Sequence, residues 1–273
     1  MQARAIRNSR LLASILCTLG LIGAFAAARA QRGSRNEAPP TAEFHFARMI
    51  YEDAPRYQRF GRGGGGWWAQ DWPDAEVHFT QSLKRLTRID AGESVVIELT
   101  DDAVFDYPWL YATQVGYWDL SDLEVERLRE YLMRGGFLMV DDFFGEEEWI
   151  PFQETMTRLF PDRPIIEIDA DTDEILHVLY DIDKFTQIPG LRHLGGGFGG
   201  RRGRRGNYYG VQGLPEPYWR GIYDDDGRLM IAMNFNQDVG DAWEHADDSF
   251  YPAPMTALAY RFGVNYVVYA MTH

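Results

Sequence analysis

The stretch Leu120-Ser121-Asp122-Leu123-Glu124-Val125-Glu126-Arg127-Leu128-Arg129-Glu130-Tyr131-Leu132-Met133-Arg134-Gly135-Gly136-Phe137-Leu138-Met139-Val140-Asp141-Asp142 decides the fold class. Ser121 and Glu124 have the spacing of a capping box, and Leu120 and Val125 stand at hydrophobic-staple positions, so a helix opens there. Val125, Leu128 and Leu132 recur at i, i+3 and i+7 on one helical face, and Gly135-Gly136 supplies a left-handed stop. The run Phe137-Leu138-Met139-Val140 that follows is apolar at successive positions. A strand so composed needs cover on both faces, as between the helix layers of a parallel sheet. The stretch therefore predicts a helix feeding a central strand, and that strand runs straight into two carboxylates.

Outward from this unit, apolar runs alternate with amphipathic stretches, the pattern of an α/β three-layer sandwich with a mostly parallel sheet. Upstream, the pattern predicts a strand over Phe44 to Tyr51, a helix opened by Asp71 with Phe79, Leu83 and Leu86 on one face, and a short buried strand over Val95 to Leu99. Downstream it predicts a helix near Glu147 to Phe160, a strand over Ile165 to Ile168 and a helix over Asp173 to Tyr180. Tyr218 to Tyr223 and Arg228 to Phe235 flank the turn Asp224-Asp225-Asp226-Gly227, which reads as a β-hairpin late in the chain. Met255, Leu258, Ala259 and Phe262 mark a last helix. Val264 to Ala270 fits either its continuation or an edge strand, since Gly263 permits both.

The chain has 273 residues, 45% of them hydrophobic and 25% charged, a globular composition. Its start carries Arg4, Arg7 and Arg10, an apolar run from Leu11 to Ala28, and the small residues Ala28 and Ala30 around Arg29. That is the anatomy of a signal peptide over 1–30 cleaved before Gln31, and it points to an exported, periplasmic or extracellular protein. An uncleaved segment is the alternative, and would be the chain's sole tie to a membrane. Residues 31–42 read as a flexible tether and 43–273 as a single domain. Without the first thirty residues the lone cysteine, Cys17, is gone, and 23 basic side chains face 41 acidic ones for a charge of −18. Disulfides are then excluded, and so is general nucleic-acid binding, which needs a basic face to displace phosphate counterions.

The acids fall in a pattern. Asp53, Asp101-Asp102, Asp141-Asp142 and Asp169 with Asp171 each lie at or just past a predicted strand end, where ligands bind in open α/β sheets. Carboxylates converging there suit a general acid and base pair or a divalent cation such as magnesium or calcium, with Asp101, Asp141 and Asp142 as metal candidates. Aspartate is also a favoured helix cap and turn residue, the ordinary explanation for Asp101 and Asp171. Asp141 and Asp142 follow a fully apolar strand, which makes them the catalytic candidates. Asn236 to Glu244 is a second acidic segment, where Asp238, Asp241 and Trp243 are ligand candidates or, for the acids, satisfy local backbone donors.

Two glycine-rich loops, 61–66 and 195–206, lack the lysine and spacing of a phosphate loop. The first precedes Trp67-Trp68, a stacking platform or a buried anchor. The second embeds Arg201, Arg202, Arg204 and Arg205, either a mobile surface or a clamp for an anion. The six histidines show no zinc spacing, no G-x-S-x-G elbow is present, and none of Ser34, Ser82, Ser94 and Ser249 sits at a strand-to-helix turn beside a histidine.

Tyr107-Pro108-Trp109-Leu110-Tyr111, the run from Leu120 to Leu132, the block from Gly135 to Asp142, and Gly263-Val264-Asn265-Tyr266-Val267-Val268-Tyr269-Ala270 together resemble a bacterial domain of unknown function, family 4159. The resemblance covers nearly all of Phe44 to His273. It implies a fold similar to class I glutamine amidotransferases, flavodoxin-like in its layers, and brings no established activity. Amidotransferase relatives carry a catalytic cysteine on an elbow after a central strand. The comparable place here holds Asp141-Asp142-Phe143, which removes glutaminase chemistry. Three functions remain as expectations: a ligand-binding or cell-envelope interaction module whose partner is an envelope protein or small ligand, a metal- or carboxylate-dependent hydrolase acting at the carboxyl-terminal edge of the sheet, and a purely structural role in a periplasmic complex, which predicts exposed aromatic patches.

Overall fold

The structure, a computed structural model, describes residues 41–58, 66–182, 186–194 and 214–273. The segments expected to be a signal peptide and, up to residue 40, a tether, the second glycine-rich loop and all but Gly66 of the first lie outside the described residues.

The decisive stretch folds as its residues dictate. Ser121 Oγ accepts from the Glu124 N–H at 3.3 Å, and the Ser121 N–H donates to Glu124 Oε2 at 2.8 Å, closing the capping box of α2 (Asp122–Met133). Gly135 takes φ 108°, and the Gly136 N–H donates to the Tyr131 carbonyl at 3.0 Å to end the helix. A side chain at Gly136 would run into the Tyr131 ring. The chain then enters β4 (Phe137–Phe143), buried at every position. Burying one Leu, Val or Phe of such a strand contributes about 1.5–3 kcal/mol.

Around it stand β1 (Ala47–Ile50), α1 (Asp74–Leu86), β2 (Val95–Glu98), β3 (Trp109–Thr113), α3 (Gly145–Leu159), β5 (Ile166–Glu167), β6 (Tyr218–Tyr223), β7 (Leu229–Phe235), α4 (Val239–Glu244) and α5 (Ala253–Thr272). One seven-stranded sheet runs β2-β1-β3-β4-β7-β6-β5. Its pairings from β2 to β7 are parallel, whereas β6 pairs antiparallel with both β7 and β5, so the sheet is mixed. The antiparallel margin follows from the hairpin, because a tight turn can only reverse the chain.

Alternate strand residues feed two apolar cores. Phe46, Trp109, Tyr111, Phe137 and Met139 face Phe79 of α1, Trp243 of α4 and Phe262 of α5. Ala47, Leu110, Ala112, Leu138 and Val140 join Leu128 of α2 and Phe152 and Met156 of α3. Helices thus cover both faces, which explains why the central strands are apolar at successive positions.

Several expectations need correction. Val95 to Leu99 gives no buried strand: β2 ends the strand order and exposes 40% of Val96. Asp71 does not cap α1, whose N-cap is Pro73. Asp173 to Tyr180 forms only a single 3-10 turn over Glu174–Leu176. Beyond it Asn265 bonds both backbone groups of Tyr180, at 2.9 and 2.8 Å, in place of helical partners. Ile165 to Ile168 contracts to the two exposed residues of β5. The open question at Val264 to Ala270 resolves as helix, since α5 runs unbroken to Thr272. Gly263 lets it approach closely: a Cβ there would lie 2.5 Å from Phe79 and 2.6 Å from Trp243. Among the described residues no helix is long and apolar enough to cross a membrane.

Candidate functional site

Strands β1, β3, β4 and β7 run in one direction, so the loops leaving their carboxyl ends gather on one edge. Gln114 follows β3, Asp142 sits where β4 bulges, and Asn236 follows β7; with Asp71, in the loop before α1, they are the non-glycine residues of positive φ among the described residues, at 55°, 51°, 60° and 63°. Left-handed backbone off glycine costs energy, least for Asn and Asp, and persists where surrounding contacts enforce it. Those contacts cross the edge. The Gln114 N–H donates to the Asp141 carbonyl at 3.1 Å, the Asp142 N–H to the Gln237 carbonyl at 3.1 Å, and the Asn236 N–H to the Phe143 carbonyl at 2.9 Å.

The adjacent acids of β4 point to different partners. Asp141 Oδ2 accepts from the Val239 and Gly240 N–H groups, both at 2.8 Å, and from the Tyr111 hydroxyl at 3.1 Å. It thereby ties β3 and β4 to the first turn of α4. Burial outweighs these donors and pushes the Asp141 carboxyl up to about 7. Asp142 accepts from Gln114 Nε2 and from Arg192 Nη2, the latter at 2.9 Å. Burial also pushes Asp142 well above the usual carboxylate range, against the pull of Arg192.

A second acidic group joins them. Asp238 caps α4 by accepting from the Asp241 N–H at 3.0 Å, and Asp241 Oδ2 accepts from the Leu191 N–H at 2.6 Å. Asp71 and Asp238 are buried, and burial together with the carboxylates around them raises both well above the ordinary value. One oxygen from each of Asp71, Asp238 and Asp241 lies within 4.8 Å of the others, a donor set suited to a hard cation. Asp241, Glu244 and His245 form a neighbouring set at the same spacing.

The edge opens to solvent around Arg192, whose side chain is half-exposed and lies 5.3 Å from the Phe144 ring centroid. His193 packs on Phe144, and burial with the Arg192 charge lowers its pKa to about 4, so it is neutral at pH 7. Glu148 accepts from the Tyr117 hydroxyl and from the Phe144 N–H, the latter at 2.6 Å. The Trp67 and Tyr117 rings lie 4.5 Å apart, tilted by 38°.

Of the residues singled out from sequence, Asp141, Asp142, Asp238 and Asp241 come together. Asp53 accepts from the Trp67 N–H at 2.9 Å and so secures the segment carrying the half-buried Trp67 and Trp68. Trp243 is fully buried among Phe46, Phe79 and Tyr111. Asp101 caps a 3-10 turn, and Asp102 reaches into solvent to pair with Arg127 at 2.6 Å. Asp169 is exposed and accepts from the backbone of Asp171 and Thr172. Sequence reasoning passed over Asp71 as a ligand, Gln114, Arg192 and Tyr111. Gln114 alone carried a signal, as a polar residue just past the apolar run Trp109-Leu110-Tyr111-Ala112, after Thr113.

No curated protein matches the chain. A family model, domain of unknown function DUF4159, matches residues 45–271. Among the described residues the match takes in every strand, the five helices almost to the end of α5, and the whole acidic edge, and on that ground the chain belongs to the DUF4159 family of domains of unknown function.

Proposed function

We propose that this is an exported ligand-binding or cell-envelope interaction module, built on a three-layer scaffold similar to class I glutamine amidotransferases, with the ligand received at the carboxyl-terminal edge of the sheet. The observation that carries this reading is the meeting of left-handed Asp71, Gln114, Asp142 and Asn236 with buried carboxylates at one edge. Strained backbone and buried acids both lower stability, and folds retain them where a ligand uses them. Asp142 stands at the corner between the central strand and α3, where the proposed scaffold would carry an amidotransferase nucleophile, but it offers a carboxylate bound to Arg192 and Gln114. That supports recognition over acyl transfer. The half-exposed Arg192 guanidinium and the Trp67–Tyr117 pair suit a ligand with an anionic group and a flat or ring-shaped body.

Native mass spectrometry of the chain expressed with its own first thirty residues tests both halves. The expected product is a periplasmic protein beginning at Gln31 and carrying a bound small molecule that Arg192→Ala releases. An unprocessed cytoplasmic product would overturn export, and a periplasmic protein of bare mass would count against small-ligand recognition.

A hydrolase is the second reading, favoured by Asp141, whose carboxyl burial brings to about 7 beside a second acid. A carboxyl titrating near neutrality serves as general acid or base. Turnover of ester, phosphoester or glycoside substrates that Asp141→Asn abolishes in a folded protein would establish it.

A further inference from the structure

Asp238 and Asp241 are three residues apart across the first turn of α4, a spacing that places both carboxylates on one side, and Asp71 meets them from the loop before α1. Asp71 is 6% exposed. Its Oδ1 accepts from Gln70 Nε2 at 2.7 Å, while Oδ2 is buried with no N–H donor and faces Gly240, where a Cβ would stand 2.8 Å away, and the Glu244 carboxyl meets the Asp71 carboxyl. On the other side a Cβ at Gly190 would collide with Asp238 Oδ2 and lie 3.0 Å from Asp241 Oδ2. Two glycines therefore frame three carboxylates in a cradle that any side chain would fill.

Charge in the cradle is unbalanced. Arg192 faces Asp238 and Asp241 but is paired with Asp142, Arg48 faces Asp71 but is paired with Glu76, and His245 lies 3.4 Å from Glu244. Three carboxylates at such spacing, one of them also meeting the Glu244 carboxyl and having a buried oxygen that no N–H reaches, require protons or a cation. Oxygens spread over up to 4.8 Å are bridged by two metal–oxygen bonds of about 2.0–2.6 Å, the range of the hard divalent ions.

We infer that Asp71, Asp238 and Asp241 bind a hard divalent cation of the calcium and magnesium class. In the proposed module this cation supplies a docking point for an anionic ligand; that role rests on the preceding reading, while cation binding itself does not.

The test titrates the chelator-treated protein with calcium chloride and with magnesium chloride alone, followed by calorimetry and thermal unfolding. One ion should bind per chain, and at about ten times its Kd the Tm should rise by roughly 3–6 °C. Asp71→Asn should weaken binding at least about tenfold while the circular dichroism stays native, whereas Asp102→Asn should bind as the wild type does. If Asp71→Asn fails to fold, the partly exposed Asp241→Asn decides by the same readout. Absence of binding heat and Tm shift with both ions, or an unchanged response in the folded variants, would overturn the inference. Arg192→Ala separates the two proposals: it removes the ligand arm and leaves cation binding intact or stronger. Cation binding by a protein that carries no ligand would sink the ligand reading alone.

Discussion

Two aspartate doublets, Asp101-Asp102 and Asp141-Asp142, come after apolar runs of the sequence, yet they do opposite things. After β2 the first doublet caps a short turn and reaches into solvent, with the Asp102 side chain 94% exposed. Inside β4, near its carboxyl end, the second is buried, holds α4 and β3 together through Asp141, and engages Arg192 and Gln114 through Asp142. Chemistry and local order are the same; position in the sheet differs. β2 is an edge strand, whereas β4 lies between β3 and β7, under helices on both faces. An acid becomes a candidate site residue when topology removes its water, because only then does its charge have to be matched by the protein or a ligand.

The contrast can be broken most forcefully at Asp141. Asp141→Ala would leave the Val239 and Gly240 N–H groups and the Tyr111 hydroxyl buried without their acceptor. The expected loss is on the order of 3–5 kcal/mol in urea unfolding, and a loss below about 1 kcal/mol would mean that α4 does not depend on this tie.

A pH profile sharpens the same point. Burial raises the Asp141 carboxyl from 3.8 to about 7, so the folded state binds its proton more tightly than the unfolded chain does. That contribution is fully present below about pH 4 and is lost as pH climbs through about 7. In chelator-treated protein, Asp141→Asn should therefore flatten the fall in stability across this window, as urea midpoints at its two ends would register. A variant falling as steeply as the wild type would remove Asp141 as the source. The neighbouring Asp142, Asp71 and Asp238 are raised for the same reason and add slope in the same sense.

At the other doublet the effects shrink. Asp101→Ala removes the acceptor for the Ala103 N–H and should cost about 1 kcal/mol, the usual worth of such a cap. Asp102→Ala breaks a solvent-exposed pair with Arg127 and should stay within about 0.5 kcal/mol, with no change in ligand or cation binding. A loss at Asp102 as large as that at Asp141 would erase the distinction.

Legibility divides along the same line. The α2–β4 unit was readable because its signals are local: Ser121 and Glu124 bond one another, Gly135 adopts the stop, and the apolar run of β4 reports its own burial. β3 was recognised only as a family motif, since its five residues follow Tyr107-Pro108 without a period of their own. The six residues of α4 read as an acidic turn for want of length, although their cap, Asp238, was visible. Asp71 resembled a helix opener, and Pro73 displaced it. Arg192 had no signal, because its partner lies fifty positions away in the chain.

The sequence by itself determined an α/β class, an acidic chain, the absence of a G-x-S-x-G elbow, and a central apolar run leading into two acids. These follow from periodicity, composition and hydrogen bonds between near neighbours, which a linear order contains. Only the tertiary structure decided that the sheet is mixed, that β2 is its edge, and that Asp71, Asp141, Asp142, Asp238 and Asp241 share one end of it. Strand order and burial arise from contacts between segments far apart in the chain, and the pKa of a carboxylate follows the water those contacts exclude.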